Sequence, residues 1–267
     1  MAVFALWCWL NAVAAIVSTR YTIVLLGLVL LGLALAASVP SLQGFAPCLC
    51  HVSRPRGARL ERTKATSLLK PCIALTFDDG PDPATTLGVM ATLARFDARA
   101  TFFLVGEKAS CHPELVRTLA QNGHSLGVHG YRHNWRSLLS PSCVAASIGR
   151  TCEIVSGATG RAPVFFRPPY GVVTPAVALA VRRANMRLVG WSVRSLDTVS
   201  WLAPQTVLSR VVARLRPGKI VLLHDAPEHS GGRSPAGPAI LASLLEAIHA
   251  KGFVAVGLDE LARVDLL

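Results

Sequence analysis

From Pro71 to the end of the chain, short apolar runs alternate with longer amphipathic ones, and this alternation limits the fold more than any other feature. The apolar runs fall at 72–77, 100–105, 125–128, 164–166, 187–193, 219–223 and 253–256. They are short and bounded by Gly, Pro or polar clusters, as buried strands are. Helical patterns fill the intervals at 84–96, 113–122, 143–156, 175–184, 204–215 and 238–250. Several open on a Pro in the first turn, and Asn122-Gly123 and Lys251-Gly252 read as helix ends. Strands alternating with helices of roughly 10–15 residues build βα units, hence a mostly parallel sheet or barrel.

In such architectures the reactive groups collect where strands end. The polar outliers of this chain fall there. The first strand runs into Thr76-Phe77-Asp78-Asp79-Gly80-Pro81. Two adjacent carboxylates disfavour joint ionisation unless a cation or an Arg neutralises one of them. After the third strand come His129 and His133, four residues apart in His129-Gly130-Tyr131-Arg132-His133. On a helical turn that spacing sets two imidazoles on one face. With one carboxylate they form a 2-His-1-carboxylate set that leaves coordination positions open for water and substrate. Arg167-Pro168-Pro169-Tyr170 follows a fourth strand, and its prolines hold the backbone rigid. Leu222-Leu223-His224-Asp225 ends a later one.

In this order, TFDDGP, H-x-x-x-H, RPPY and LLHD resemble the polysaccharide deacetylase family, also called the NodB-homology or carbohydrate esterase family 4 domain. The resemblance runs from about Pro71 to the C-terminus. It implies a distorted (β/α) barrel, an α/β fold; the apolar membrane segment expected ahead of it lies outside the resemblance. It further implies that Asp79, His129 and His133 hold a divalent metal, most often Zn2+, with Co2+, Ni2+ or Mn2+ as alternatives. Asp78 would be the general base, Arg167 its positioning partner, and His224 the general acid for the leaving amine. The Tyr170 amide would help stabilise the oxyanion, and Leu222 would line the acyl pocket. Two motifs depart from the family pattern. Gly130 stands where a Ser or Thr is usual, and Arg194-Ser195-Leu196-Asp197-Thr198 replaces Asp-x-x-Asp-Trp. Only Asp197 survives of that motif, whose acids support the catalytic Arg and His, and Arg194 reverses a charge near the site. His124 reads as structural; Trp191 and Trp201 are candidates for stacking on a sugar, with a core role weighed for Trp191.

The N-terminal stretch sets a second constraint. Met1 to Ser18 and Tyr21 to Ser38 carry no charge and are separated only by Thr19-Arg20. One membrane span takes about 20 apolar residues, so this stretch exceeds one. It reads as a helical hairpin, as a single signal anchor at 21–38 behind an apolar arm, or as a cleaved signal ending near Ala34-Leu35-Ala36. Residues 39–70 form a Pro-, Gly- and Arg-rich linker, and 71–267 the main domain. The net charge of +12 is partly carried by Arg54, Arg56, Arg59, Arg62, Lys64 and Lys70, a run suited to anionic lipid. That run also favours a cytoplasmic domain, although its distance from the apolar end weakens the rule, and an extracytoplasmic domain is expected. No basic–aromatic interleaving or recognition motif points to nucleic acid. The seven cysteines show no C-x-x-C pair; in an oxidising compartment Cys111, Cys143 and Cys152 could supply a disulfide.

Three functions are compatible with these residues. The first is a metal-dependent hydrolase removing an N-acetyl or O-acyl group from an amino-sugar glycan. The second is a deacylase or deformylase of a lipid-linked or small acylated sugar at a membrane surface. The third is a non-catalytic glycan-binding relic.

Overall fold

The computed structural model describes residues 21, 23, 24, 26–29, 31, 32, 46–51, 71–228 and 232–260. The expected divisions at 1–38 and 39–70 thus lie largely outside the described residues. Among the described residues, no helix is long and apolar enough to cross a membrane.

Eight strands form one parallel sheet: β1 (Cys72–Asp78), β2 (Thr101–Leu104), β3 (Ser125–Val128), β4 (Phe165–Phe166), β5 (Arg187–Leu188), β6 (Val193–Arg194), β7 (Ile220–His224) and β8 (Val254–Val256). Among the described residues, seven α-helices connect them: α1 (Thr86–Arg95), α2 (Gly106–Cys111), α3 (Pro113–Gln121), α4 (Pro141–Thr159), α5 (Pro175–Arg183), α6 (Pro204–Val212) and α7 (Gly237–Ala250). The strands follow the order β5-β4-β3-β2-β1-β7-β6, with β8 paired to the start of β1.

The expected strand at 187–193 is in fact two. β5 pairs with β4 at one end of the sheet, and β6 pairs with β7 at the other. Only four residues, 189–192, join them. A sheet whose opposite edges are linked by so short a segment must curl, and the result is an incompletely closed barrel. The 187–193 run is apolar enough for a single strand, but its middle turns across the gap. Val189 N–H donates to Phe166 on one side, and Ser192 N–H to Ile220 on the other. Part of the stretch read as linker lies in this gap. Leu49 N–H donates to Leu188 O, Gly190 N–H donates to Leu49 O, and His51 bridges to Lys219.

Side-chain alternation assigns the two faces of the strands. Ile73, Leu75 and Phe77 of β1, with Val221 and Leu223 of β7, pack outward against α1, α3, α6 and α7. Each such fully buried side chain contributes about 1.5–3 kcal/mol through the apolar area removed from water. The intervening residues face the barrel interior. Ala74 and Ile220 join Phe103, Phe165, Val189, Val256 and Leu258 in a plug at its N-terminal end. The same inward face continues to Thr76 and Asp78 on β1 and to Leu222 and His224 on β7. The polar residues therefore emerge at the C-terminal mouth.

Candidate active site

Register places two of the candidate groups side by side. Asp78 and His224 are the last residues of adjacent strands and are direct partners across them. Asp79 is the next residue, and in a continuing strand its side chain would point to the opposite face. Its backbone is instead left-handed, with φ at 75°. Aspartate tolerates that region better than most residues. The turn breaks the alternation, and both carboxylates line one cleft.

The two histidines do not sit on a helical turn, as their spacing suggested. They lie in an irregular loop after β3 that turns at Gly130, where φ is 83°. Each ring is set by its other nitrogen. His129 Nδ1–H donates to Arg167 O at 2.8 Å, and His133 Nδ1–H donates to Glu228 Oε1 at 3.0 Å. This leaves both Nε2 atoms facing Asp79, each 3.5 Å from Oδ1. One ligand atom from each of the three residues lies within 4.8 Å of the others. Asp79 Oδ1 is buried and has no hydrogen-bond partner among the described residues. Burial pushes the Asp79 carboxyl up to about 7 and the His129 imidazole down to about 3. Burial also lowers His133. Two neutral imidazoles and an unsatisfied carboxylate oxygen, converging on one point, fit a divalent cation.

Asp78 has a different partner. Arg167 is fully buried and donates to Asp78 Oδ1 at 2.7 Å, Thr76 Oγ1 at 2.8 Å and Gly190 O at 2.7 Å. Its guanidinium lies 4.1 Å from the centre of the Phe103 ring. Burial works to raise the Asp78 carboxyl, but Arg167 overrides it and keeps the group below its ordinary value. Opposite Asp78, His224 Nδ1–H donates to Asp197 Oδ1 at 2.8 Å, and the His224 backbone N–H donates to Asp197 Oδ2 at 2.8 Å. Burial opposes the imidazolium, yet the Asp197 carboxylate outweighs it and lifts His224 to about 9. At neutral pH the mouth therefore holds an ionised carboxylate and a protonated imidazole on neighbouring strands.

The nine residues to which the resemblance gives catalytic, metal or oxyanion roles are brought together, seven of them on the walls of a cleft of about 340 Å³. These are Asp78, Asp79, His129, His133, Tyr170, Leu222 and His224. Arg167 and Asp197 sit behind that wall. Tyr170 is half exposed, with φ at 60°; its hydroxyl donates to Glu228 Oε1 at 3.0 Å and its ring packs edge-on to His133. Trp191 lines the cleft over Arg167, whereas Trp201 is 83% exposed and lies away from it. His124 is buried edge-on to Phe102, and burial lowers it to about 4, as a core histidine. Cys111, Cys143 and Cys152 are free thiols.

Several supporting groups carry little or no local sequence signal. Glu228 and Lys108 come from stretches with no local signal. Lys108 Nζ donates to Asp79 O at 2.8 Å and to Pro227 O at 2.6 Å, tying the ends of β1 and β7 together. Ser147 of α4 accepts from Tyr131 N–H at 2.6 Å, supplying a hydroxyl to the His129–His133 loop that Gly130 cannot. Asp225 had a signal in Leu-Leu-His-Asp. It is fully buried, accepts from Thr86, and is pushed by burial to about 7.

Comparison with known proteins adds a lineage to this geometry. A sequence profile described as polysaccharide deacetylase matches residues 66–189. A peptidoglycan-N-acetylglucosamine deacetylase of Bacillus cereus is 34% identical over 182 residues, covering 67% of this chain and 64% of that protein. The chain thus spans less than two thirds of that relative. A chitooligosaccharide deacetylase of Sinorhizobium fredii is 33% identical over 193 residues, covering 69% of this chain and 88% of that one. Among solved structures, peptidoglycan deacetylase PdaC from Bacillus subtilis matches with a TM-score of 0.65 at 28% identity, over 73% of this chain and 92% of that one.

Proposed function

The chain belongs to the polysaccharide deacetylase family, and from that footing we propose that it is a metal-dependent hydrolase removing an N-acetyl or related acyl group from an amino sugar in a glycan. The observation that carries the proposal is the opposed pair at the mouth of the barrel: Asp78 kept ionised by Arg167, and His224 kept protonated by Asp197. Amide hydrolysis needs a base on the water and an acid on the amine at the same pH. These two groups meet both needs from adjacent strands.

Asp79, His129 and His133 would hold the cation, with zinc first among the candidates because two imidazoles and one carboxylate suit it. When bound, it would supply a Lewis acid that acidifies water and polarises the acyl oxygen. Asp78 takes one proton from the attacking water, whose oxygen bonds to the acyl carbon. His224 gives its proton to the amine nitrogen as the C–N bond breaks, leaving a carboxylic acid and a free amine. Arg167 and Asp197 are positioning residues that hold those two groups in the required protonation states. Leu222 supplies an apolar wall for a small acyl group, and the Tyr170 amide is assigned to the oxyanion.

We further assign the protein to a membrane surface, with the 71–267 domain on the extracytoplasmic side. The two uncharged N-terminal stretches support membrane attachment, as do exposed apolar side chains on helical residues such as Ile23, Val24, Leu26 and Leu28; the side is assigned because the basic run begins too far from the apolar end to fix the domain inside.

The test is twofold. The protein is expected to bind one zinc or similar ion per chain, and Asp79→Ala to abolish binding. Turnover of N-acetylated chito-oligosaccharide is expected to need that metal and to fall by at least ~100-fold in Asp78→Asn, which keeps the ion. Metal uptake unchanged by Asp79→Ala would overturn the site. Metal bound without turnover of any acylated amino sugar would leave a binding relic instead.

A further inference from the structure

The cleft has a second, unassigned wall. Arg194 is the last residue of β6 and the direct partner of Leu222 on β7. Parallel partners share a face, so Arg194 leaves the sheet on the side of Leu222, one strand beyond His224. Its strand position is pinned by Arg210, whose Nε–H donates to the Arg194 carbonyl. Arg233, on the loop after β7, lines the same cleft. It is anchored by one bond, Nη1–H to Ser200 O at 2.8 Å, which leaves the rest of its donor fork available.

Neither guanidinium forms an ion pair with a carboxylate among the described residues. Asp197, the acid closest to Arg194 in sequence, is buried and occupied by His224 and Ser195. Glu228 stands among the metal-ligand residues, bonded to His133 and Tyr170. Two guanidiniums without a carboxylate partner thus line the cleft, while its exposed acid, Glu228, is engaged by His133 and Tyr170. A neutral sugar could use the two guanidiniums only as hydrogen-bond donors and would leave their charge unmatched. A planar guanidinium fork matches a carboxylate or a phosphate, and paired charge-assisted bonds are about twice as strong as neutral ones.

We propose that Arg194 and Arg233 form a subsite for an anionic substituent, a carboxylate or phosphate, carried by the acylated amino sugar or its neighbour. The inference deepens the deacylase reading and rests on it. Reversal of charge at position 194 then sets substrate choice rather than impairing the site.

The experiment compares kcat/KM of the zinc-loaded full chain on three N-acetylated substrates. These are neutral chito-oligosaccharide, an oligosaccharide with a carboxylate-bearing neighbour, and N-acetylglucosamine 1-phosphate. The wild type is expected to prefer one of the anionic substrates, and the one preferred identifies the anion. Arg194→Gln and Arg233→Gln are each expected to cut the anionic-to-neutral ratio by about tenfold, mainly through KM, with Arg194→Lys recovering part of it. That preference should weaken as salt screens the cleft. An unchanged ratio for both anions in both variants overturns the subsite. If the wild type turns over none of the three, the deacylase reading falls. The subsite is then judged by equilibrium binding of the phosphorylated sugar: about tenfold weaker binding by Arg194→Gln sustains it, and equal binding overturns it.

Discussion

Arg167 has no exposed surface, yet it is the residue from which the two carboxylates acquire different roles. Its guanidinium bonds Asp78, and its carbonyl fixes the ring of the metal-site His129. Asp79, one position away, gets no such partner, and its buried Oδ1 faces the two imidazoles in an arrangement that could hold a cation. The same logic in reverse governs His224. Its ordinary pKa of 6.5 is lifted to about 9, so folding favours the imidazolium. The Asp197 pair is therefore fully stabilising below about pH 6.5 and loses its contribution as pH rises through about 9. In metal-free protein, Asp197→Asn is expected to melt several degrees below wild type near pH 6, and that gap to narrow steadily toward pH 9.5, by roughly the amount that linkage assigns to the pair. A gap that stays constant across the window would place the stabilisation elsewhere, for instance in the bonds from Asp197 to Ser195 and to the His224 backbone. His129 and His133 were legible as a pair only in combination with the strand-end Asp78-Asp79, since the helical turn their spacing suggested is absent. Their loop was not, because the bonds that aim them come from Arg167 and Glu228, remote in sequence.

Among the elements, β5 and β6 carry the main departure from expectation. Apolar character over 187–193 is compatible with one long strand, and nothing local says that Gly190 turns the chain across a gap. The gap is bridged by 46–51, whose Cys48 and Cys50 are buried with their sulfurs 3.6 Å apart. Leu49 supplies two backbone bonds there, and Gly190, which accepts from Arg167, is one of its partners. The short segment thus braces the strand edge behind the base. Leu49→Pro in the full chain removes the N–H that meets Leu188 and is expected to cost about 1–3 kcal/mol, read as a fall of a few degrees in Tm. An unchanged Tm would mean that 46–51 lies on the barrel without bracing it.

For the molecule as a whole, the curled sheet explains why four motifs spread over about 150 positions converge. Every strand runs the same way, so every strand end opens at the same mouth. The N-terminal stretches bear on where that mouth works. If they anchor the chain, the full-length protein in isolated membranes should resist extraction by high salt and be released by detergent. A protein lacking 1–45 should stay in the supernatant. Release by salt alone would assign attachment to the basic run at 54–70 through lipid charge.

Strand–helix alternation and inward-facing polar residues at strand ends are local, periodic properties, so the α/β class and most of the candidate site were readable from residue order. The roles of neighbours came only from the family resemblance, because nothing in the two residues themselves distinguishes them. Asp78 and Asp79 differ by one position and are chemically identical. They are told apart by a left-handed backbone at Asp79 and by a guanidinium arriving from 89 residues away. Burial and partner charge act through space, and they separate the two carboxyls by shifting one down and the other up to about 7.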